Sequence, residues 1–373
     1  EAEDFAALCR RIKLMADINL NGKSIDPLGN NSSRYSGTFD GNGFSISNVY
    51  IKKTANDIGL IGSTTNAAVV KNLTVYNADV STTLSYVGAI AGLFRGRMEN
   101  VHVVGINVRG TSSVGGLAGQ TNENVTFINC SVTGTETMKT ISGTNSNVGG
   151  ITGYVDNSGL TLTDVTVKGV NISAGTERAG GIAGDTAPKM TFTNITVEDT
   201  NVTAPKYIGG FVFYLRNGST VNGAAVKNVK ITGTNSGQVE IGGISGSNSG
   251  AVSTINNAVV DNLTITTPGE CVGGILGLAN AAISITNSIV KNSTINAAKN
   301  MGGITYNLGY GSSLTKSGVQ NVTLNSSITS TTTDVAAGGL VGVVGWSPAN
   351  TVQYNFVDRA AINAVGRMTG GLI

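Results

Sequence analysis

Val114-Gly115-Gly116-Leu117-Ala118-Gly119 carries no chemistry of its own, yet variants of it return along the whole chain. They stand at Ile58 to Gly62, Val87 to Gly92, Val148 to Gly153, Ala179 to Gly184 and Ile208 to Phe213. They continue at Ile241 to Gly246, Val272 to Gly277, Met301 to Tyr306, Ala337 to Gly342 and Thr369 to Ile373. The first glycines fall at 59, 88, 115, 149, 180, 209, 242, 273, 302, 338 and 370, a mean step of about 31 residues, which is the period range of repeat architectures. A chain of 373 residues would otherwise suggest two or three globular domains; a repeat this persistent makes it one elongated array whose length counts coils.

Working outward from each unit, an asparagine follows 12 to 20 residues later and opens a run of alternating apolar and polar residues. Asn72-Leu73-Thr74-Val75, Asn100-Val101-His102-Val103, Asn194-Ile195-Thr196-Val197 and Asn262-Leu263-Thr264-Ile265 are examples. A third short strand often follows, as in Gly169-Val170-Asn171-Ile172. Three alternating strands per repeat, joined by polar loops of uneven length, predict an all-β, right-handed parallel β-helix (β-solenoid) of about ten coils with three faces, roughly 50 Å long at the strand spacing. The asparagines at 48, 72, 100, 129, 194, 228, 262, 287, 321 and 355, with Asp164 in the series, are expected to form an internal amide ladder at one corner. The glycines are expected to serve close packing between coils.

The ends are read separately. Asp4 to Met15 places Phe5, Leu8, Cys9, Ile12 and Met15 at helical spacing, with acidic residues first and Arg10, Arg11 and Lys13 last, predicting an N-terminal capping helix over the first coil. Residues 1–51 are expected to hold this cap and lead-in strands, with Asp40-Gly41-Asn42-Gly43 as a hairpin turn, and 52–373 the continuous repeat. The chain stops inside a Gly-Gly strand, so a monomer or an end-to-end contact at the C-terminal coil is expected.

Composition narrows the function. A net charge of +2 without a run of either sign leaves no footprint for nucleic acid or an anionic membrane. Apolar stretches fall well short of the ~20 residues of a membrane-spanning helix. Cys9, Cys130 and Cys271 lack metal-ligand spacing, and coils this far apart cannot bridge them, so three free thiols are expected. Gly22-Lys23-Ser24 lacks the glycine a phosphate loop needs, Asp17 standing there. Thr38 and Val49 occupy ligand positions of the calcium loop that Asp40 to Gly43 would belong to. The single histidine, His102, shares its column with Thr74, Ser131 and Thr166 and reads as polar surface. No catalytic residue, metal site or cofactor is predicted. Aromatics are few, and Phe94, Tyr154, Phe213, Tyr214, Tyr306, Tyr310 and Trp346 all follow a Gly-Gly strand, where equivalent positions on successive coils are expected to line one edge of the solenoid. Of these, Phe213, Tyr214, Tyr306, Tyr310 and Trp346 are the candidate binding residues, plugs for gaps left by small residues being the alternative.

At its Gly-Gly-(Leu/Ile)-x-Gly units the sequence resembles the GLUG-motif proteins, and Tyr35 to Asn48 is similar to the run that opens such arrays in gut Bacteroidetes, with Phe44-Ser45 in place of its His-Thr. That repeat class occurs in bacterial surface and secreted proteins, among them adhesin-like and haemagglutinin-like chains and segments of some immunoglobulin A proteases. The resemblance implies an exported, non-enzymatic protein at the bacterial cell surface or outside the cell, binding a host or matrix glycan or protein through the solenoid surface and loops. A β-helical polysaccharide lyase or glycoside hydrolase is the alternative. Arg11-Ile12-Lys13 matches one short polygalacturonase motif, but the aspartate and Gly-His-Gly partners of that family are missing.

Overall fold

A computed structural model describes residues 11–157, 159–329, 333–345 and 348–365. Within them the chain is a parallel β-solenoid, with one 25-stranded, one 10-stranded and one 9-stranded sheet running the length of the stack. The 10-stranded sheet takes one strand from each coil, so it counts ten turns.

Each coil carries more corners than three faces require. In the coil that begins with strand Val69–Thr82, segments 69–71, 73–76 and 78–82 are separated by Asn72 and Asn77, both at positive φ. Val87–Gly88 and Ala91–Phe94 complete the turn. The pair of left-handed bends recurs five residues apart at Asn100 and Gly105, Asp164 and Gly169, Asn194 and Asp199, Gly223 and Asn228, Asn257 and Asn262, and Asn287 and Asn292. A left-handed residue shifts the alternation by one. Val70 and Leu73 therefore both face inward while Lys71 and Asn72 both face outward, and each short strand keeps its apolar side on the axis. Asn and Gly occupy most of these positions because they tolerate that conformation best.

The amide ladder is therefore split into two columns and lies outside the coil, which corrects the internal placement expected from the sequence. Asn72 Nδ2 donates to Asp40 Oδ1 (3.1 Å), Asn100 Nδ2 to Asn72 Oδ1 (3.0 Å) and Asn129 Nδ2 to Asn100 Oδ1 (2.8 Å). At the second bend Asn77 donates to Asn48 (3.1 Å), Asn228 to Asp199 (2.9 Å) and Asn262 to Asn228 (2.9 Å). Asn355 belongs to neither column; its Oδ1 accepts from the Ser317 N–H (2.9 Å). Asn100→Ala is expected to destabilise the fold by about 2 kcal/mol, combining the strain of an L-residue in the left-handed region with two lost solvent-facing hydrogen bonds. Asn100→Gly, which keeps the conformation, should cost distinctly less in urea unfolding, and equal losses would disprove the conformational share.

The capping helix is also corrected at its described end. Arg11–Lys13 is a strand paired in parallel with Thr38–Asp40. Ile12 and Leu14 turn toward the core and Met15 is 77% exposed, a period of two in place of a helical face. The rest of the proposed helix lies outside the described residues. Asp40 to Gly43 is not a hairpin turn either: the segments on its two sides, Thr38–Asp40 and Ser45–Ser47, both pair in parallel with Val69–Thr82, so they already belong to a coil.

The three glycines of the repeat unit have three different neighbours. A Cβ on the first would overlap the carbonyl oxygen three residues on, Ala118 for Gly115 and Val212 for Gly209, so this glycine makes a tight corner within one coil. A Cβ on the second would strike the next coil's glycine carbonyl, as Gly150 meets Gly181 and Gly181 meets Gly210. The third meets backbone on the other side of a re-entrant seam, as Gly119 does with Tyr86 and Val87 of the preceding coil.

Candidate functional site

That seam runs along the stack between two columns of side chains. One holds the residue just before each Val-Gly-type strand: Asp57, Tyr86, Ser113, Asn147, Arg178, Tyr207, Glu240, Cys271, Asn300 and Ala336. The other runs along the 10-stranded sheet through Leu93, Gln120, Tyr154, Asp185, Tyr214, Ser247, Leu278 and Asn307. Leu93, Phe213, Cys271 and Leu278 are buried yet stand apart from the hydrophobic core, so this surface is re-entrant. The buried charged residues of the described chain, Asp57, Arg95, Asp185 and Glu240, all border it. Elsewhere on the solenoid, charges such as Lys168 and Glu198 sit in exposed ladders (3.0 Å).

The densest part surrounds Asp185, only 5% exposed. Arg216 Nη2 donates to its Oδ1 (3.1 Å), and Arg178 Nε lies 3.7 Å from its Oδ2. Burial pushes the Asp185 carboxyl upward against the pull of Arg216, the Thr186 N–H and Arg178. Rings back these cations. The Arg216 guanidinium stands 4.7 Å from the Tyr214 ring, Arg178 5.9 Å from Tyr207 and 6.0 Å from Phe213, and Lys206 Nζ 4.8 Å from Tyr207. Phe213 occupies the third-glycine position and packs against Tyr207 (5.0 Å) and Tyr214 (4.9 Å). Three coils on, Tyr306 takes the same position, in register with Gly277. Burial raises its hydroxyl pKa, with Cys271 and Glu270 adding to the effect.

A second buried carboxyl, Glu240, accepts from Gln238 Nε2 (3.3 Å). Burial raises its pKa, opposed by hydrogen bonds with Ser247, Gln238 and Asn280. Because the folded form holds this proton more tightly than the unfolded chain, its stabilisation is full below the ordinary carboxylate range and is lost as pH rises through the raised value. Glu240→Gln is expected to flatten that part of the melting-temperature-against-pH curve. An unchanged slope would show that Glu240 stays ionised in the fold.

Of the candidate residues read from the sequence, the structure brings Phe213 and Tyr214 together and places Tyr306 farther along the same seam. Tyr310 is 52% exposed, at positive φ in a loop. Trp346 lies outside the described residues. Phe94 is corrected from the outer edge to the core, fully buried against Phe127 (5.6 Å) because its register partner Thr121 faces inward. Arg178, Asp185, Tyr207 and Arg216 were not singled out in the sequence. Two signals pointed to them: an aromatic in place of the third glycine at Phe213, and a charged or aromatic residue directly before the Val-Gly strand.

His102 is half-buried, its Nδ1 2.9 Å from Ser131 Oγ, and burial lowers its pKa. Cys130 and Cys271 are buried free thiols, both pushed up to about 12 mainly by burial; Cys9 lies outside the described residues. Among the described residues no group of three or more His, Cys, Asp or Glu could hold a metal ion, and no helix is long and apolar enough to cross a membrane.

No protein-family model matches the chain. Over 91 residues it is 38% identical to Halomucin of Haloquadratum walsbyi, covering 24% of this chain and 1% of that protein. Over 99 residues it is 33% identical to a provisionally named Gly-rich membrane protein of Evansella cellulosilytica, covering 26% of this chain and 12% of that one. The chain thus spans a small fraction of these relatives. A Bacteroides ovatus crystal structure, provisionally described as an immunoglobulin A1 protease, superposes with a TM-score of 0.45 at 20% identity, over 61% of this chain and 69% of that one.

Proposed function

We propose that this chain is an exported, non-enzymatic, adhesin-like protein of the GLUG-repeat kind that binds a host or matrix glycan or protein along the seam. The observation that carries the reading is the confinement of buried charge, together with a cluster of aromatic rings, to one re-entrant strip outside the core. A solenoid that only displayed another domain would have no use for burying Asp185 and Glu240 there, since each costs desolvation that exposed positions avoid. Concave strips along stacked repeats are where solenoids bind extended partners. The names of Halomucin and of the Gly-rich membrane protein agree with a surface or extracellular setting.

The test uses substitutions drawn from the columns themselves. Tyr207→Asn copies Asn147, Phe213→Gly copies Gly246 and Tyr214→Ser copies Ser247, so the triple variant should keep the fold. On glycan and extracellular-matrix arrays the wild type is expected to bind and the triple variant to lose at least tenfold in affinity. Retained binding at unchanged melting temperature would move the site away from the seam.

A second reading, a polysaccharide lyase or hydrolase, draws on Asp185, a carboxyl of raised pKa flanked by Arg178 and Arg216 with Tyr214 beside it. Release of unsaturated or reducing ends from acidic polysaccharides, abolished by Asp185→Asn, would favour it over adhesion.

A further inference from the structure

We infer that the seam between Arg178 and Arg216 takes an acidic glycan, one bearing carboxylate or sulfate groups; the inference rests on the seam being the binding surface and names its ligand. Two guanidinium groups converge here with most of their donors unused. Arg178 Nε and Arg216 Nε are both buried without a hydrogen-bond partner. Arg178 reaches its carboxylates only at ion-pair range, 3.3 Å to Glu177 and 3.7 Å to Asp185. Arg216 spends one nitrogen, Nη2, on Asp185. A guanidinium carries five N–H donors in a planar fork, and leaving desolvated donors unpaired is costly, so an acceptor-rich anion would be rewarded here more than at an exposed arginine.

Charge balance points the same way. Three cations, Arg178, Lys206 and Arg216, face two carboxylates, Glu177 and Asp185, which leaves the cluster cationic. The Tyr207, Phe213 and Tyr214 rings hold the cations in place, so less side-chain freedom is lost on binding. A sugar is favoured over an acidic peptide by the partly exposed Tyr207 and Tyr214 rings and by the Asn147 amide, one coil before Arg178 in the same column, whose Oδ1 is also buried without a partner.

The test measures binding of polygalacturonate, dextran sulfate, neutral dextran and poly-glutamate to wild type, to an Arg178→Asn, Arg216→Ser double variant that copies Asn147 and Ser249, and to the Tyr207/Phe213/Tyr214 triple variant. The expected result is binding of polygalacturonate or dextran sulfate that weakens with salt, falls at least tenfold in the double variant and exceeds binding of neutral dextran. The two acidic arms tell carboxylate from sulfate. Equal binding of neutral dextran, stronger binding of poly-glutamate, binding indifferent to the double variant, or no binding of either acidic polymer would overturn the inference. If an array ligand is lost with the triple variant but not with the double variant, the seam remains the binding surface and only its anionic preference fails. If neither variant alters any binding, the seam itself is wrong.

Discussion

Gly209→Ala is expected to destabilise the protein by about 3 kcal/mol or more, the upper part of the range for overpacking, because no rotamer relieves the contact. Its Cβ would overlap the carbonyl group of Val212 in the same coil, so the backbone corner itself must open. Opening it pulls Ile208–Gly209 away from Ile241–Gly242, and the damage spreads to a neighbouring coil. Gly237 supplies the control. A Cβ there would meet nothing nearer than Asn235 Oδ1 at 3.9 Å, so Gly237→Ala should cost clearly less in chemical denaturation. If both substitutions cost the same, the tight corner at the first glycine has no special role.

Phe192→Ala should be similarly severe for the opposite reason, a void. Phe192 is fully buried and meets Phe211 edge-on, with ring centroids 4.9 Å apart and an interplanar angle of 76°. Its stack neighbours are Leu162 before it and Val221 after it. Truncating a buried phenylalanine to alanine costs about 3–5 kcal/mol, and the rigid strands around this site cannot collapse into the space. Phe192→Leu, which copies Leu162, is expected to lose less than about 2 kcal/mol. In a quasi-one-dimensional stack the weakening should be local, so hydrogen exchange should accelerate around residues 160–225 before it does in coils near residue 100. Uniform acceleration along the chain would mean that the solenoid unfolds as one cooperative unit.

The architecture was legible because it rests on spacing. The step between first glycines counts coils, and the alternation in runs such as Leu73-Thr74-Val75 gives strand parity. What escaped was the direction of side chains at bends. Asn72 and Asn77 both read as polar turn residues, and nothing in their identity says that a left-handed bend turns two successive side chains outward; hence the ladder was placed inside. Phe94 was misplaced by a simpler parity error: it stands one residue beyond Leu93, in register with the inward-facing Thr121 and Val155. The cap helix fails over its described end because Phe5, Leu8 and Ile12 fit a helical face while Arg11-Ile12-Lys13-Leu14 fits a strand equally well, and pairing with Thr38–Asp40 decides for the strand there. The site was half legible. Phe213, Tyr214 and Tyr306 stood out as aromatics where glycine is the rule, but Asp185 and Arg216 looked like ordinary polar residues until the coil brought them to 3.1 Å.

The two outer columns of amide bonds run from coil to coil, along the axis and alongside the backbone ladders, so their mechanical behaviour depends on the direction of pull. Tension applied end to end loads the bonds of one coil against the next as a zipper, opened one coil at a time at modest force. Tension along a strand would load a whole ladder in shear. A coil of about 31 residues peeled from the end releases at most roughly 100 Å of extended chain. Held at both ends in moving fluid, such a stack would lengthen in steps of that size while the remaining coils, and whatever they hold, stay folded.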